Sequence, residues 1–533
     1  MSKKVFVIGL DGGTFNVINP LIKEGKLPNI ARIMEEGVYA YLDSTIPPLT
    51  PVAWPSMFTG KLPGKHGVFD FSLPTRNYNE KTKEIERKRV NSTFIKSKAL
   101  WELLSEGGKR CIVIDVPLTY PPRRINGLMI SRVMATQRMK VTYPKELYRK
   151  LTRRKLLYAR KIEDNLPEEH TGLDEKAKKS LDISKYLQEI LKDIDNKVRL
   201  IRYLNDNYAW DFFMAVFMES DRAGHGFWKD QRKVKKVYEK LDEAIGRIFS
   251  ILPNNCLKFI VSDHGFKDIK GGFFLNEWLL KHGYVYKTFI LDKKSKALFK
   301  NLNKFKEDFH KKPGKHMGRF KFKQKIDYEK SLAYLYSETS YGLRINLKGR
   351  DPEGVVEPEA YEPLRERLIR ELKNINDPLN GERIFGDVLK KEDVIGRAND
   401  DYPACDIYLL PKNMDYLLKS LNNSNNIFKR INRGFHRKEG IFFALGDEFK
   451  RNFNAQKLSI MDVTPTILHL MDVETPWDLD GKIRKEIFNE TSDSYKRMIK
   501  FGKSSQKLTR EERFSKKEEE KLKQSLKALG YIE

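Results

Sequence analysis

Four short stretches of this 533-residue chain place acids and histidines at spacings that could do chemistry. Asp11 closes the run Val5-Phe-Val-Ile-Gly-Leu-Asp11-Gly. Asp221-Arg-Ala-Gly-His225 sets an acid four residues before a histidine. Asp263-His264 places the two side by side. His436 comes late, in Gly434-Phe-His-Arg-Lys-Glu-Gly440. Mixed Asp and His ligands suit zinc or another first-row divalent ion. Any one pair is weak, because a lone histidine is more often a satisfied core residue. Alone, Asp11 reads as a helix cap, and Thr50 as one more turn hydroxyl. The ordered set carries more meaning than its members.

The elements that must position these residues are legible. Short apolar runs at 5–10, 111–116, 212–217, 259–261 and 441–445 read as buried parallel strands. Amphipathic helical patterns at 30–34, 99–104 and 234–251 lie between them. This alternation predicts an α/β fold, a mainly parallel sheet flanked by helices on both faces. Ligands in such sheets bind beyond the carboxyl ends of the strands. The run 5–10 leads into Asp11. The run 212–217 leads into Glu219, Asp221 and His225. The run 259–261 leads into Ser262, Asp263 and His264. Asp115 lies inside its own run and reads as structural.

The length exceeds one compact core, so a large domain with a substantial insertion, or two domains, is expected. Residues 1–285 and 434–502 read as the core that carries the candidate ligands. Residues 286–433 read as an inserted α+β cap region with a basic linker. From 287 to 325 there are 14 Lys/Arg against 3 acids. There Leu298, Leu302, Phe305 and Phe309 recur at helical spacing. This stretch is expected to be a solvated linker, or else a lid that draws anions inward or a peripheral contact with anionic membrane. Strands at 341–347 and 406–410 and a helix at 361–372 follow. Residues 503–533 form a charged C-terminal helical tail with the stripe Phe514, Leu522, Leu526 and Leu529. It is expected to dock on the core or on a second subunit, so an oligomer stays possible.

The ordered set resembles the alkaline phosphatase superfamily, in its type I phosphodiesterase and nucleotide pyrophosphatase branch. The resemblance covers most of the chain. The stretch ending at Asp11 resembles the family's opening strand and first metal ligand. Pro48-Leu-Thr50-Pro-Val-Ala-Trp-Pro-Ser-Met-Phe-Thr59-Gly60 resembles its nucleophile segment, and Pro63-Gly-Lys-His66-Gly67 the turn that follows. Asp462-Val-Thr-Pro-Thr-Ile-Leu-His-Leu and Asp480-Gly481 resemble its closing helix and final turn. Asn346-Leu-Lys-Gly-Arg-Asp-Pro-Glu-Gly354 and the ending Leu529-Gly-Tyr-Ile are similar to a prokaryotic subgroup of predicted phosphohydrolases or phosphomutases.

The resemblance implies a metal-dependent hydrolase of phosphate esters, cutting a phosphodiester or pyrophosphate bond through a phospho-threonine intermediate. Two divalent ions are implied, zinc first, with manganese or magnesium as alternatives. Asp221, His225 and His436 would hold one. Asp11, Asp263, His264 and the Thr50 hydroxyl would hold the other, with Thr50 as nucleophile. Coordination would lower the hydroxyl pKa, and paired ions would stabilise the attacking and leaving oxygens. An anionic phosphorylated substrate follows; which residues bind it is not legible.

Departures matter too. The branch has an Asn shortly after the His-Gly turn, where this chain has Phe69-Asp70-Phe71. Sulfatase chemistry is excluded, because Thr50 is followed by Val52 and Trp54 where that branch needs Pro and Arg. A phosphomonoesterase or phosphomutase with the same two metals is the alternative, and Arg132, Arg222 and Arg437 are its candidate phosphate holders. A non-catalytic basic binding protein is the third reading. The net charge of +28 concentrates anions without naming nucleic acid or membrane as a partner. The apolar start is too short for a signal peptide or a span, so a cytoplasmic location is expected. Three scattered cysteines suggest neither disulfides nor a thiolate site. His66 and His469 read as structural.

Overall fold

The computed structural model describes residues 3–133, 135, 140–157, 183–291, 322–396, 403–422, 424, 426–506, 515, 518–520 and 522–524. The stripe Leu298, Leu302, Phe305 and Phe309 lies outside them, as do Phe514, Leu526 and Leu529 of the tail.

A strand covered on both faces must be apolar along its length, and Lys4–Leu10 meets that condition. Its neighbours are Phe212–Phe217 on one side and Cys256–Val261 on the other, both parallel. The full sheet has nine strands. Beyond Phe212–Phe217 come Cys111–Ile114, Gly127–Ile130 and Thr142–Tyr143. Beyond Cys256–Val261 come Glu439–Leu445, Val38–Asp43 and Phe453–Ser459. Successive strand residues face opposite sides. Val5 and Val7 therefore enter one hydrophobic cluster, and Phe6, Ile8 and Leu10 the other. The helices Thr50–Thr59, Leu100–Glu106 and Val463–Leu470 cover the first face. Phe15–Lys23, Pro28–Glu36, Ile183–Asn207 and Gln231–Phe249 cover the second.

Register sets the level of the site. Leu10 lies opposite Phe217, and Gly9 opposite Val261. The three central strands thus end together, and the segments carrying Asp11, Asp221 and Asp263 leave from one edge.

One strand corrects the sequence reading. The run 441–445 was expected to be parallel, yet Glu439–Leu445 pairs antiparallel with both its neighbours. Its chain arrives from Phe428–Arg437, which lies antiparallel on Gly265–Phe274. It therefore enters the sheet at the carboxyl edge, and can only run back. The run 111–116 is also shorter than expected, ending at Ile114, because Asp115 takes a positive φ of 55°.

The region after Lys287 has its own four-stranded antiparallel sheet, ordered Ala333–Ser337, Gly342–Ile345, Ile407–Pro411, Phe385–Lys390. The helix Pro358–Lys373 buries Leu368, Ile369 and Leu372 in the same cluster as this sheet. That cluster begins at Ile269, inside the Gly265–Phe274 strand, and ends at Phe435. The Asn346 stretch is a structural corner. Asn346 donates to the carbonyls of Tyr328, Ser331 and Glu353, and buried Asp351 and Asp406 hold Arg344 and Arg350. No helix among the described residues is long and apolar enough to cross a membrane.

Candidate active site

Thr50 opens the helix Thr50–Thr59, with Pro51 in its first turn, where a missing N–H costs nothing. Its Oγ1 lies 3.2 Å from His264 Nε2. One turn on, Trp54 Nε1 donates to Asp11 Oδ2 at 2.7 Å. The helix thus carries both the hydroxyl and a clamp on the first acid. Gly12 turns the chain with a φ of +67°, and a Cβ there would press on Asp221 at 3.2 Å. Its N–H donates to Asp263 Oδ1 at 3.2 Å.

The six acids and histidines expected from the sequence converge around Thr50. His264 Nε2 lies 3.3 Å from Asp263 Oδ2 and 3.7 Å from Asp11 Oδ1. His225 Nε2 and His436 Nε2 are 2.9 Å apart, and each is within 3.4 Å of Asp221 Oδ1. The rings of His264 and His436 stack at 3.7 Å. Two sets could each hold an ion: Asp221, His225 and His436; and Asp11, Asp221 and His264. In the second set Asp221 stands where the resemblance placed Asp263, which adjoins it through His264.

The hydrogen bonds prepare these groups for a cation. His436 Nδ1 faces the Pro48 carbonyl at 3.0 Å, and His264 Nδ1 the Gly265 carbonyl at 3.1 Å. A carbonyl only accepts, so each Nδ1 carries the proton and each Nε2 presents a lone pair. Asp11 Oδ1 and Asp263 Oδ2 are buried and accept no hydrogen bond among the described residues. Lone pairs therefore face one another in a buried cluster, which a dication would satisfy.

Charge tells the same story. Burial, then Asp263 and Asp221, push Asp11 well above the usual carboxylate range. Burial raises Asp263 strongly, and Asp221 adds to it. Burial also opposes ionisation of Asp221, but His225 and His436 outweigh it and hold Asp221 well below. Burial, helped by the neighbouring His436, keeps His264 far below the ordinary imidazole value, and burial lowers His436 as well.

The arginines proposed as phosphate holders are otherwise engaged. Arg132 pairs with Asp115 through two nitrogens, Arg222 lies 3.6 Å from Asp193, and Arg437 pairs with Glu439. Asp70 accepts from Ser337, Thr339, Arg87 and the Phe71 N–H. His66 is buried and sits 2.9 Å from Ser56 Oγ, while His469 faces the Ser494 carbonyl. Burial raises all three cysteine thiols, Cys111 and Cys405 to about 12 and Cys256 to about 11. Sequence reasoning missed Trp54, although its spacing of four from Thr50 on a helix was a signal. It also missed Ser220, whose Oγ donates to the Asp11 carbonyl at 2.6 Å.

The sequence profile of the type I phosphodiesterase / nucleotide pyrophosphatase family matches residues 5–436, from the first strand to the last candidate ligand. The chain belongs to this family. It is therefore a hydrolase that acts on phosphoester bonds. Among solved structures, human ectonucleotide pyrophosphatase / phosphodiesterase 5 is 14% identical, with a TM-score of 0.50 over 91% of this chain and 100% of that one. The murine protein of the same name, in an inactive threonine-to-alanine variant bound to AMP, is 13% identical at the same score and coverage. Phosphonoacetate hydrolase from Sinorhizobium meliloti 1021, in complex with phosphonoformate, is 14% identical, at 0.50 over 87% and 94%. These likenesses establish the fold. No curated protein matches the chain.

Proposed function

We propose that this phosphodiesterase-family protein cuts phosphodiester or pyrophosphate bonds with Thr50 as nucleophile. The observation that carries the reading is the convergence of Asp11, Asp221, His225, Asp263, His264 and His436 around the hydroxyl at one helix start. Asp221, His225 and His436 would hold one divalent ion. Asp11, Asp263, His264 and Thr50 Oγ1 would hold the other. When bound, such ions acidify the hydroxyl and offset phosphoryl charge.

The chain's own groups do the rest. The His264 contact aims Oγ1, and Trp54 fixes the carboxylate beside it. Oγ1 bonds to phosphorus as the bond to the leaving oxygen breaks; the hydroxyl proton goes to solvent, and the leaving oxygen takes one from it. Water then attacks phospho-Thr50, releasing the phosphorylated product and restoring the hydroxyl. Residues 286–433 would form the cap, 1–285 and 434–502 the core, and 503–533 an appended tail. Zinc is the proposed metal, and the cytoplasm the proposed setting.

The test is an assay with zinc or manganese against bis-p-nitrophenyl phosphate and p-nitrophenyl phosphate. Diester hydrolysis that chelation abolishes is expected. Turnover of the monoester alone would move the protein to the phosphomonoesterase or phosphomutase reading. Activity indifferent to chelation would overturn the metal assignment.

A further inference from the structure

Phe435 belongs to two places at once. Its ring stacks 4.7 Å from that of His436 and meets His225 edge-on at 5.9 Å. It also lines a cavity of about 470 Å³, within the range of ligand sites. The walls come from four parts of the chain. Asp70, Phe71 and Ser72 follow the His66 turn. Arg87 and Arg89 sit on the Glu84–Arg89 strand. Ser337 to Thr339 and Leu417 to Ser420 belong to the inserted unit. Lys523 comes from the tail, beside Leu522, which is 3% exposed.

The lining is basic. Five cationic side chains, Arg87, Arg89, Lys419, Arg433 and Lys523, face three acids, Asp70, Glu84 and Glu338. The acids are also partly spent. Asp70 is satisfied by two hydroxyls, a backbone N–H and Arg87. Glu338 lies 2.8 Å from Lys419, and Glu84 pairs with Lys325 outside the cavity. Burial lowers the Arg89 pKa; Asp70 opposes this, the Arg87 guanidinium adds to it, and Glu519 and Glu520 of the tail oppose it further. An excess of like charge around an open cavity is relieved by an anion, and guanidinium is the group that matches phosphate or carboxylate best.

We infer that this cavity is a second anion subsite, taking a phosphate or carboxylate group carried on the far part of the substrate while the ester sits at the Asp/His cluster. The inference rests on the proposed function for where the ester sits. It names the substrate class: phosphoesters with a second anionic group, as opposed to esters with neutral leaving groups. Arg89, Arg433 and Lys523 are the specificity-determining cations. Arg87 is a positioning residue, held by Asp70, Ser72 and the Tyr336 carbonyl.

The matched probes are 1-propyl phosphate and 1,3-propanediol bisphosphate, which differ only by the second phosphate. Each is tested as an inhibitor of bis-p-nitrophenyl phosphate hydrolysis by the full chain. In the wild type the bisphosphate should inhibit at a concentration at least about tenfold lower, the worth of one added charge-assisted contact of about 1.4 kcal/mol. In Lys523→Gln and in Arg89→Gln/Arg433→Gln that ratio should fall toward one. Lys523 is exposed, so its substitution keeps the test open if the double variant fails to fold. Calorimetric titration of the bisphosphate into the chelator-treated chain reads the cavity without turnover. Bisphosphate binding that is lost in Lys523→Gln, in a chain inert toward the diester, would sink the proposed function and keep the subsite. A wild-type ratio near one, or a ratio indifferent to all three cations, would overturn the subsite.

Discussion

At the scale of single residues, Thr50 and His66 separate chemistry from architecture within one short segment. Thr50 touches His264, while His66 touches Ser56 on the same helix. Thr50→Ala removes the hydroxyl together with the γ-methyl. It should fold and still bind metal through the remaining acids and histidines, yet lose turnover by at least about a thousand-fold. Thr50→Ser should keep measurable activity. Wild-type kcat in Thr50→Ala would point to direct attack by water. His66 makes the opposite prediction. Burial pulls its pKa from 6.5 to about 3. The unfolded chain then binds a proton that the folded chain refuses, so its contribution to stability is complete above about 6.5 and is lost as pH falls toward 3. Thermal unfolding of His66→Gln should fall less steeply between pH 6.5 and 4 than that of the wild type. Parallel curves would show that His66 does not set the acid slope.

Among elements, the antiparallel pair Gly265–Phe274 and Phe428–Arg437 matters most. It carries His436 opposite Phe266, directly after His264, and leads into the sheet through Glu439–Leu445. Gly265 is the tight point, since a Cβ there would lie 2.1 Å from the Glu439 carbonyl oxygen. Backbone cannot yield as a side-chain tip can. Gly265→Ala should therefore cost about 1–3 kcal/mol of stability, as overpacking does, and should displace both histidines. The check is a lower Tm together with reduced metal content by elemental analysis. A full metal complement with an unchanged Tm would show that this strand crossing does not position the site.

For the whole molecule, one neutral–acidic pocket sits inside a strongly basic protein. Ligands drawn from segments as distant as Asp221 and His436 in one set, and Asp11 and His264 in the other, would be tied together by the ion each set holds. Saturating metal should raise Tm, by about 2.7 kcal/mol of added stability at a hundredfold excess over Kd. Asp263→Ala should lose at least one ion per chain. The net charge of +28 acts at longer range. For an anionic substrate, kcat/KM should fall as salt shortens the screening length to roughly 8 Å at physiological strength. A flat salt profile would leave the basic surface without a part in substrate capture.

The sequence by itself determined the central strands and the residues beyond them. Both are local signals: apolar runs mark buried strands, and polar groups directly after a run must emerge at the carboxyl edge. Asp11, Asp221, His225, Asp263 and His264 were legible for that reason, and His436 and Thr50 through the resemblance of the ordered set to the family. Tertiary structure decided what no run can encode. It set Glu439–Leu445 antiparallel, because the direction of entry depends on the element before it. It bound Arg132 and Arg222 to acids of other segments, and gave Asp70 to the inserted unit. It gathered Arg87, Arg89, Arg433 and Lys523 around one cavity, though they span most of the chain's length. Such groupings rest on contacts between distant segments, and spacing along the chain carries no trace of them.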